Sequence, residues 1–358
     1  MRVVELKIQD VAFGGKGVAR EGGKAVFVPF TIDGETVSAE IVRERKKFAE
    51  AELVEVIERS PHRVEPACPY FGRCGGCSYQ HIDYEHQLSL KWRQVRDVLR
   101  RVGKFEDVPI RPIIASPQPY GYRNRVTLHV EEGVIGFFRR ESHRLIDIEK
   151  CPIAMETVNA GIAALRRANP RDGHYTVRAD PSEPRIFTQA NDFVAKALLE
   201  LVLRIVEPPD KQGVLIDAYC GAGFFAKSLR ERFARVIGVD WDRFAIEEAE
   251  KAAQPNESYI AGNVETELCA LASNLGKVES TLILDPPSAG LSPAVRQAVA
   301  ELAPGAAIYV SCNPSTLARD LADLKEALTV ESVTPLDMFP QTAEIEVAVH
   351  LTRRKPHA

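Results

Sequence analysis

Hydrophobic and polar positions change rhythm twice along the chain. Over residues 3–58 short runs recur: Val3-Val4-Glu5-Leu6-Lys7-Ile8 nearly alternates, Ala25-Val26-Phe27-Val28-Pro29 is a short apolar run, and Thr36-Val37-Ser38-Ala39-Glu40-Ile41-Val42 alternates again, with residues 51–57 closing the set. A period of two over four to eight residues predicts half-buried strands. Gly14-Gly15, Gly17 and Gly22-Gly23 mark the turns between them. Short strands with glycine turns over this span predict a small barrel of the oligonucleotide-binding type. Residues 61–80, rich in Pro, Gly and Cys, carry no period. Residues 82–102 then recur at three and four, with Leu88, Trp92, Val95 and Leu99 on one stripe and Arg93, Arg96, Arg100 and Arg101 elsewhere, which predicts an amphipathic helix. Residues 111–190 read as mixed β structure, with 123–130 as one strand.

From about residue 191 the texture becomes alternating helix and strand. Residues 191–206 predict a helix and 214–217 a buried strand. A Gly-rich turn at 220–223 leads into a helix to residue 233, followed by a strand at 236–240. Further strands are expected at 281–285 and 306–311, with a closing pair near 330–335 and 346–352. This is the pattern of a doubly wound, Rossmann-like α/β domain, whose ligand lies at the C-terminal ends of the strands. Three parts are therefore expected: a β barrel over 1–60, a mixed α+β central region over 61–190, and the α/β domain over 191–358.

Composition adds a division of charge. The chain has 358 residues and a net charge of −4, but residues 1–185 carry 30 Lys+Arg against 26 Asp+Glu, and residues 186–358 carry 16 against 24. A basic front joined to an acidic rear fits a polyanion-binding module attached to something else. Arg43, Arg45, Lys46 and Lys47 beside Phe48 form a basic and aromatic group suited to single-stranded nucleic acid, or simply a solvated loop. The most apolar stretch, 195–206, is broken by Glu200 and Arg204, and the first ten residues mix charge with apolar residues. A cytoplasmic protein is expected, with no membrane partner. Seven cysteines, an odd number, argue for reduced thiols, metal ligation or catalysis rather than a disulfide framework.

Candidate chemistry gathers at the predicted strand ends. Asp217-Ala218-Tyr219-Cys220-Gly221-Ala222-Gly223 is a glycine turn that lets a ligand approach the backbone, and Asp240 ends the next strand, where an acid accepts hydrogen bonds from ribose hydroxyls. The third glycine of a dinucleotide fingerprint is missing, with Phe224 and Phe225 following Gly223, so S-adenosylmethionine fits better than a dinucleotide. Asn263 and Asp285 fall at further strand ends, the latter in Asp285-Pro286-Pro287-Ser288. Cys312 ends a strand at the same sheet edge. Glu344 and Glu346, two apart, are expected on one face of a later strand. A thiol nucleophile with a carboxylate base is what methylation of a pyrimidine at carbon 5 requires: the thiolate adds to carbon 6, and a base later removes the carbon 5 proton so that the thiol can leave.

The other cysteines form Cys68-x5-Cys74-x2-Cys77, with Cys151 as a remote fourth. Cys-x2-Cys among Gly72, Gly75 and Gly76 reads as a metal-binding turn, and spacing leaves zinc and an iron–sulfur cluster both open.

Taken together these segments resemble the S-adenosylmethionine-dependent RNA 5-methyluridine (uracil-5) methyltransferases. The resemblance runs from Ala12-Phe13-Gly14-Gly15-Lys16-Gly17-Val18-Ala19-Arg20, similar to an RNA-gripping TRAM domain, through residues 68–81 to the closing Phe339-Pro340 and Glu346. It implies that Cys68, Cys74, Cys77 and Cys151, the last followed by Pro152, hold a [4Fe–4S] cluster. It also implies that Gln189 of Phe187-Thr188-Gln189, with Tyr219, Asp240, Asn263 and Asp285, contacts the cofactor. Cys312 of Ser311-Cys312-Asn313 is then the nucleophile and Glu346 the base. The expected substrate is a uridine in RNA, 23S rRNA first and the tRNA T-loop second; the reading from another class is a non-catalytic RNA-binding iron–sulfur protein. Four features depart from the family: Ser288 where Arg is common, Glu344 where His is common, Phe224 where a polar residue is common, and only 37 residues between Cys151 and Gln189.

Overall fold

A computed structural model describes residues 2–182, 185–206, 213–275 and 278–355. The N-terminal sheet has six strands: β1 (Arg2–Lys7), β2 (Asp10–Val11), β3 (Lys16–Glu21), β4 (Lys24–Pro29), β5 (Thr36–Glu44) and β6 (Phe48–Glu58), in the order β1-β5-β6-β4-β3-β2. Its two edges are consecutive in the chain, and the Gln9 amide donates to Val18 O at 2.8 Å, so the sheet curls closed around Leu6, Ile8, Ala19, Val26, Val28, Val37 and Ala39. Gly17, expected at a turn, lies instead within β3. Gly17 is there for close approach: a Cβ on it would lie 2.0 Å from Thr31 Oγ1. The basic group sits at the tip of the β5–β6 hairpin, with Arg43, Arg45, Lys46 and Lys47 all exposed.

Helix α1 (Tyr84–Arg101) begins where the Asp83 carboxylate accepts from His86 N at 2.8 Å, a side-chain N-cap. Val95 and Leu99 pack into the core of the C-terminal sheet, so this helix serves the α/β layer although it precedes the central strands in the chain. The central sheet is antiparallel, β10 (Gly173–Arg178), β7 (Arg125–Glu131), β8 (Val134–Phe138), β9 (Leu145–Asp147). Val126, Leu128 and Val130 of β7 alternate inward with Val158 and Ile162 of α2 (Glu156–Arg167) in the same buried cluster.

The C-terminal layer contains α3 (Asp192–Ile205), β11 (Val214–Ala218), α4 (Phe224–Leu229), β12 (Arg235–Asp240), α5 (Arg243–Glu250), β13 (Glu257–Ala261), α6 (Val264–Leu275), β14 (Ser280–Leu284), α7 (Pro293–Leu302), β15 (Ala306–Ser311), α8 (Pro314–Leu324), β16 (Leu328–Leu336) and β17 (Glu346–Arg353). The sheet order is β13-β12-β11-β14-β15-β17-β16, with β13 to β15 parallel and β17 antiparallel to both neighbours. The strand order reverses between β11 and β14, which opens a crevice at their C-terminal ends. The helix expected to reach residue 233 stops at Leu229 and gives way to a 3-10 turn, Arg230–Arg232. Among the described residues no helix is long and apolar enough to cross a membrane.

Candidate active site

The crevice is shaped by the turn after β11. Tyr219 (φ 66°), Gly221 (φ 52°) and Gly223 (φ 83°) all take left-handed conformations, and nothing lies within 4 Å of where a Gly221 Cβ would be. That open space lets a ligand reach the backbone. Asp240, at the end of β12, is buried and accepts from Gly221 N and Asp242 N, both at 2.8 Å, which aims its carboxylate along the crevice edge. Asn263, two residues past β13, is exposed; its Oδ1 accepts from Glu265 N at 2.8 Å at the start of α6. Asp285, just past β14, is pushed up to about 7 by burial and by the charge of Asp240. Gln189 reaches it, Nε2 to Oδ2 at 3.4 Å, from the segment leading into α3. Asn124 of the central region holds Gln189 in place by donating to its carbonyl at 2.8 Å. The sequence-predicted cofactor residues Gln189, Tyr219, Asp240, Asn263 and Asp285 thus line one rim of the sheet.

Cys312 and Glu346 meet on the next strands of the same rim. Ser311 of β15 pairs with Val347 of β17, so continuing the antiparallel register by one residue sets Cys312 opposite Glu346. Cys312 is half-buried, and burial followed by Glu346, Asp285 and Glu344 pushes its thiol up to about 11. Every charge that shifts it is a carboxylate. Glu346, 4% exposed, is itself held well above the usual carboxylate range by burial, Asp285 and Glu344. The expectation that Glu344 shares a strand face with Glu346 is not met: β17 begins at Glu346, and Glu344 precedes it as an exposed residue. Ala343 and Ile345, on either side of Glu344, are buried, and of the two glutamates only Glu346 is buried.

The loop after Asp285 is stapled to the segment after Cys312. Asn313 Nδ2 and Thr316 Oγ1 both donate to the Ser288 carbonyl, at 3.1 and 3.0 Å, and Arg319 Nη2 donates to Ala289 O at 3.0 Å. Ser288 is held through its backbone and is exposed, while a guanidinium bonded to the adjacent Ala289 carbonyl is that of Arg319. Phe224, the first residue of α4, is 39% exposed and packs edge-on against Phe225.

The four other candidate cysteines converge. Cys68, Cys74, Cys77 and Cys151 line one cavity of about 290 Å³ with Gln80 and Tyr70, between the 61–80 segment and β7. Burial pushes Cys77 up to about 12 and Cys151 up to about 11, and the neighbouring thiols add to both. Gln80 is buried; its Oε1 accepts from Cys68 N at 3.0 Å, and its Nε2 is a buried donor with no hydrogen-bond partner among the described residues. Among the described residues, no three His, Cys, Asp or Glu side chains are spaced to share a single metal ion. A wall of thiols around a cavity instead fits a group that offers each sulfur its own corner, as a cubane cluster does.

One buried feature escaped the periodicity: the inward face of α1 carries Gln87, Lys91 and Gln94 among its leucines. Lys91 Nζ donates to Asp337 Oδ1 at 2.6 Å, with both side chains fully buried. A lysine within a basic helix reads as solvated surface, so no local signal marks it.

Comparison with known proteins adds an independent line. The family described as tRNA (Uracil-5-)-methyltransferase matches residues 169–267 and 271–354, and the TRAM domain matches residues 1–54. An uncharacterized RNA methyltransferase of Bdellovibrio bacteriovorus is 33% identical, with 97% of this chain and 94% of the relative covered. One from Gloeobacter violaceus is 29% identical over 98% of this chain and 97% of the relative. Among solved structures, a Pyrococcus abyssi tRNA (uracil-54, C5)-methyltransferase in complex with S-adenosyl-L-homocysteine matches with a TM-score of 0.74 and 24% identity, over 98% of this chain and 100% of that one. This last likeness supports the arrangement of barrel, central sheet and α/β layer.

Proposed function

Since the chain belongs to the RNA uracil-5 methyltransferase family, with an N-terminal TRAM domain and S-adenosylmethionine as methyl donor, we propose that Cys312 is its nucleophile, Glu346 its base, and a uridine of 23S rRNA its target. The observation that carries the residue assignment is the β15–β17 register, which sets a thiol opposite a buried carboxylate beside Asp285. Bound S-adenosylmethionine supplies the electrophilic methyl group and, as a sulfonium cation, a charge that opposes the carboxylate crowding. Gln189 and Asp285 hold the donor's reacting end, Asp240 takes the ribose, and Tyr219 and Asn263 flank them. Cys312 Sγ adds to carbon 6 of uracil, which makes carbon 5 an enolate carbon able to take the methyl. Glu346 then accepts the carbon 5 proton, the C–H electron pair restores the ring double bond, and the thiolate leaves.

The target uridine must leave its stack to reach Cys312, at a cost of about a few kcal/mol and least in a loop. The barrel's basic hairpin tip supports a role in gripping the flanking strand. A tRNA loop uridine is the second reading, favoured by the full-length likeness to the Pyrococcus abyssi enzyme, whose own substrate is tRNA. The assay is transfer of labelled methyl to ribosomal and tRNA fractions that lack 5-methyluridine, followed by nucleoside analysis. Label as 5-methyluridine in 23S RNA supports the proposal; label confined to tRNA replaces the substrate and keeps the chemistry. No label, from protein that binds the methyl donor, favours the non-catalytic RNA binder.

The pH profile follows from the charges. Burial and three carboxylates hold the Cys312 thiol near 11, so at neutral pH on the order of one thiol in ten thousand is ionised. Glu346 is held above the carboxylate range in the same direction. Both groups act in their ionised forms, and raising pH favours both, so kcat/KM is expected to rise from pH 6 to 9. A profile flat or falling over that window contradicts the assignment.

Cys68, Cys74, Cys77 and Cys151 are proposed to hold a [4Fe–4S] cluster that braces the central region, since methyl transfer needs no electron. Protein purified without air is expected to be brown, with broad absorbance near ~400 nm and bound iron, and Cys77→Ser to lose both. Stoichiometric zinc with no iron would refute this.

A further inference from the structure

Residues 337–345 connect β16 to β17 with no regular secondary structure, yet all but Phe339 and Glu344 are buried. A buried irregular segment must find partners for its backbone elsewhere. Here they come from far away in the chain. Lys91 Nζ donates to Asp337 Oδ1 at 2.6 Å and to Phe339 O at 3.0 Å. Tyr122 OH donates to Pro340 O at 2.9 Å. Gln87 accepts from Gln341 N at 3.1 Å and donates to Gln341 Oε1 at 3.0 Å, holding Gln341 in a left-handed conformation at φ 69°. The Gln341 carbonyl accepts from Ser78 N and Tyr79 N, at 3.1 and 3.0 Å, immediately after Cys77. The segment's last residue, Ile345, precedes Glu346 at the start of β17.

Burying an ammonium is costly: desolvation pulls the Lys91 pKa down, and the Asp337 charge pulls it back. Apolar residues of similar volume commonly serve stability as well as such a pair or better, so an ion pair kept here points to geometry. We propose that Lys91 is a positioning residue for proton removal: through Asp337 and the Phe339 carbonyl, with Gln87 on Gln341, it sets where β17 begins and so where the Glu346 carboxylate stands relative to Cys312. The inference rests on the reading of Glu346 as base.

Displacing Glu346 leaves addition of Cys312 to carbon 6 and methyl transfer intact. It slows the transfer of the carbon 5 proton to the carboxylate, without which the C–S bond cannot break. Methylated RNA therefore stays joined to the protein. The test incubates wild type, Lys91→Met, Asp337→Leu, Lys91→Met/Asp337→Leu and Glu346→Gln with labelled S-adenosylmethionine and unmodified RNA. It reads the ratio of label in denaturation-resistant RNA–protein adduct to label in free RNA. That ratio is a property of molecules that reacted, so partial unfolding of a variant does not alter it. Thermal midpoints are measured alongside, because the double variant strands no charge and is expected to melt above both single variants. The ratio is expected to rise at least ~10-fold in Lys91→Met and in the double variant, as it does in Glu346→Gln. An unchanged ratio in both, with adduct in Glu346→Gln, would overturn the inference and leave the base assignment standing. A ratio raised in Lys91→Met but normal in the double variant would assign the effect to a stranded Asp337 charge and overturn it too. Adduct in none of the variants, Glu346→Gln included, would remove the base assignment and the inference together.

Discussion

Cys312→Ala is expected to lower methyl transfer by more than ~10⁴-fold while RNA and S-adenosylmethionine affinities stay near wild type. Carbon 5 of uracil does not attack a sulfonium methyl without prior addition at carbon 6, so no other group in the crevice substitutes for the thiol. The fold has little stake in this side chain. Cys312 is half-buried at the exit of β15, the helix that follows is capped by Asn313 Oδ1 accepting from Ser315 N at 3.0 Å, and Ser311 supplies the local hydroxyl. Removing the thiol also lifts no ion pair. Methyl incorporation into RNA, measured with calorimetric cofactor binding on the same preparation, separates lost chemistry from lost structure. Residual methylation within tenfold of wild type would remove Cys312 from the mechanism.

Glu346→Gln is expected to change the shape of the reaction as well as its rate. The amide matches the carboxyl in size, and burial with Asp285 and Glu344 already holds Glu346 toward its neutral form, so the substitution costs the fold little. Glu346 is also the largest of the charges that oppose ionisation of Cys312. Addition at carbon 6 and methyl transfer need no proton acceptor at this position, so the first half of the reaction proceeds. The second half loses its proton acceptor, and steady turnover falls by ~10²–10⁴-fold. The time course is therefore a burst approaching one methyl per active site followed by a stall. Rapid-quench measurement of incorporated label checks it; linear turnover without a burst would place the proton acceptor elsewhere.

The carboxylates around Cys312 bear on the nucleophile proposed there. Three acids and no basic side chain shift the thiol, which favours its protonated form. A cationic methyl donor would offset part of that carboxylate field where the thiolate must form. The acid crowding thus belongs with the cofactor chemistry.

Much of this was legible in sequence, because it depends on short-range pattern. Alternation marked the strand at 36–42, short apolar runs marked those at 25–29 and 306–311, period 3.6 marked the helix after Asp83, and glycine spacing marked the turn after β11. Each follows from how successive side chains point within one element. Residue type at a strand end likewise marked Asp240, Asp285 and Cys312, since a parallel sheet delivers its strand ends to one rim. Pattern failed where partners lie far apart in the chain. Gly17 looked like a turn because its reason for lacking a side chain is Thr31, packed against it from another part of the barrel. Glu344 and Glu346 looked equivalent because spacing by two says which way side chains point and not where pairing starts; the register of β17 on β15 and β16 decides that. Lys91 went unmarked because charge is exposed by default, and only its contact with Asp337, 246 residues on, makes it interior. The sequence by itself determined the elements, their order and the chemical groups at the rim. Tertiary structure alone decided where β17 begins beside the thiol and what holds it there, because register and buried polar pairing are set by long-range contacts that no local window contains.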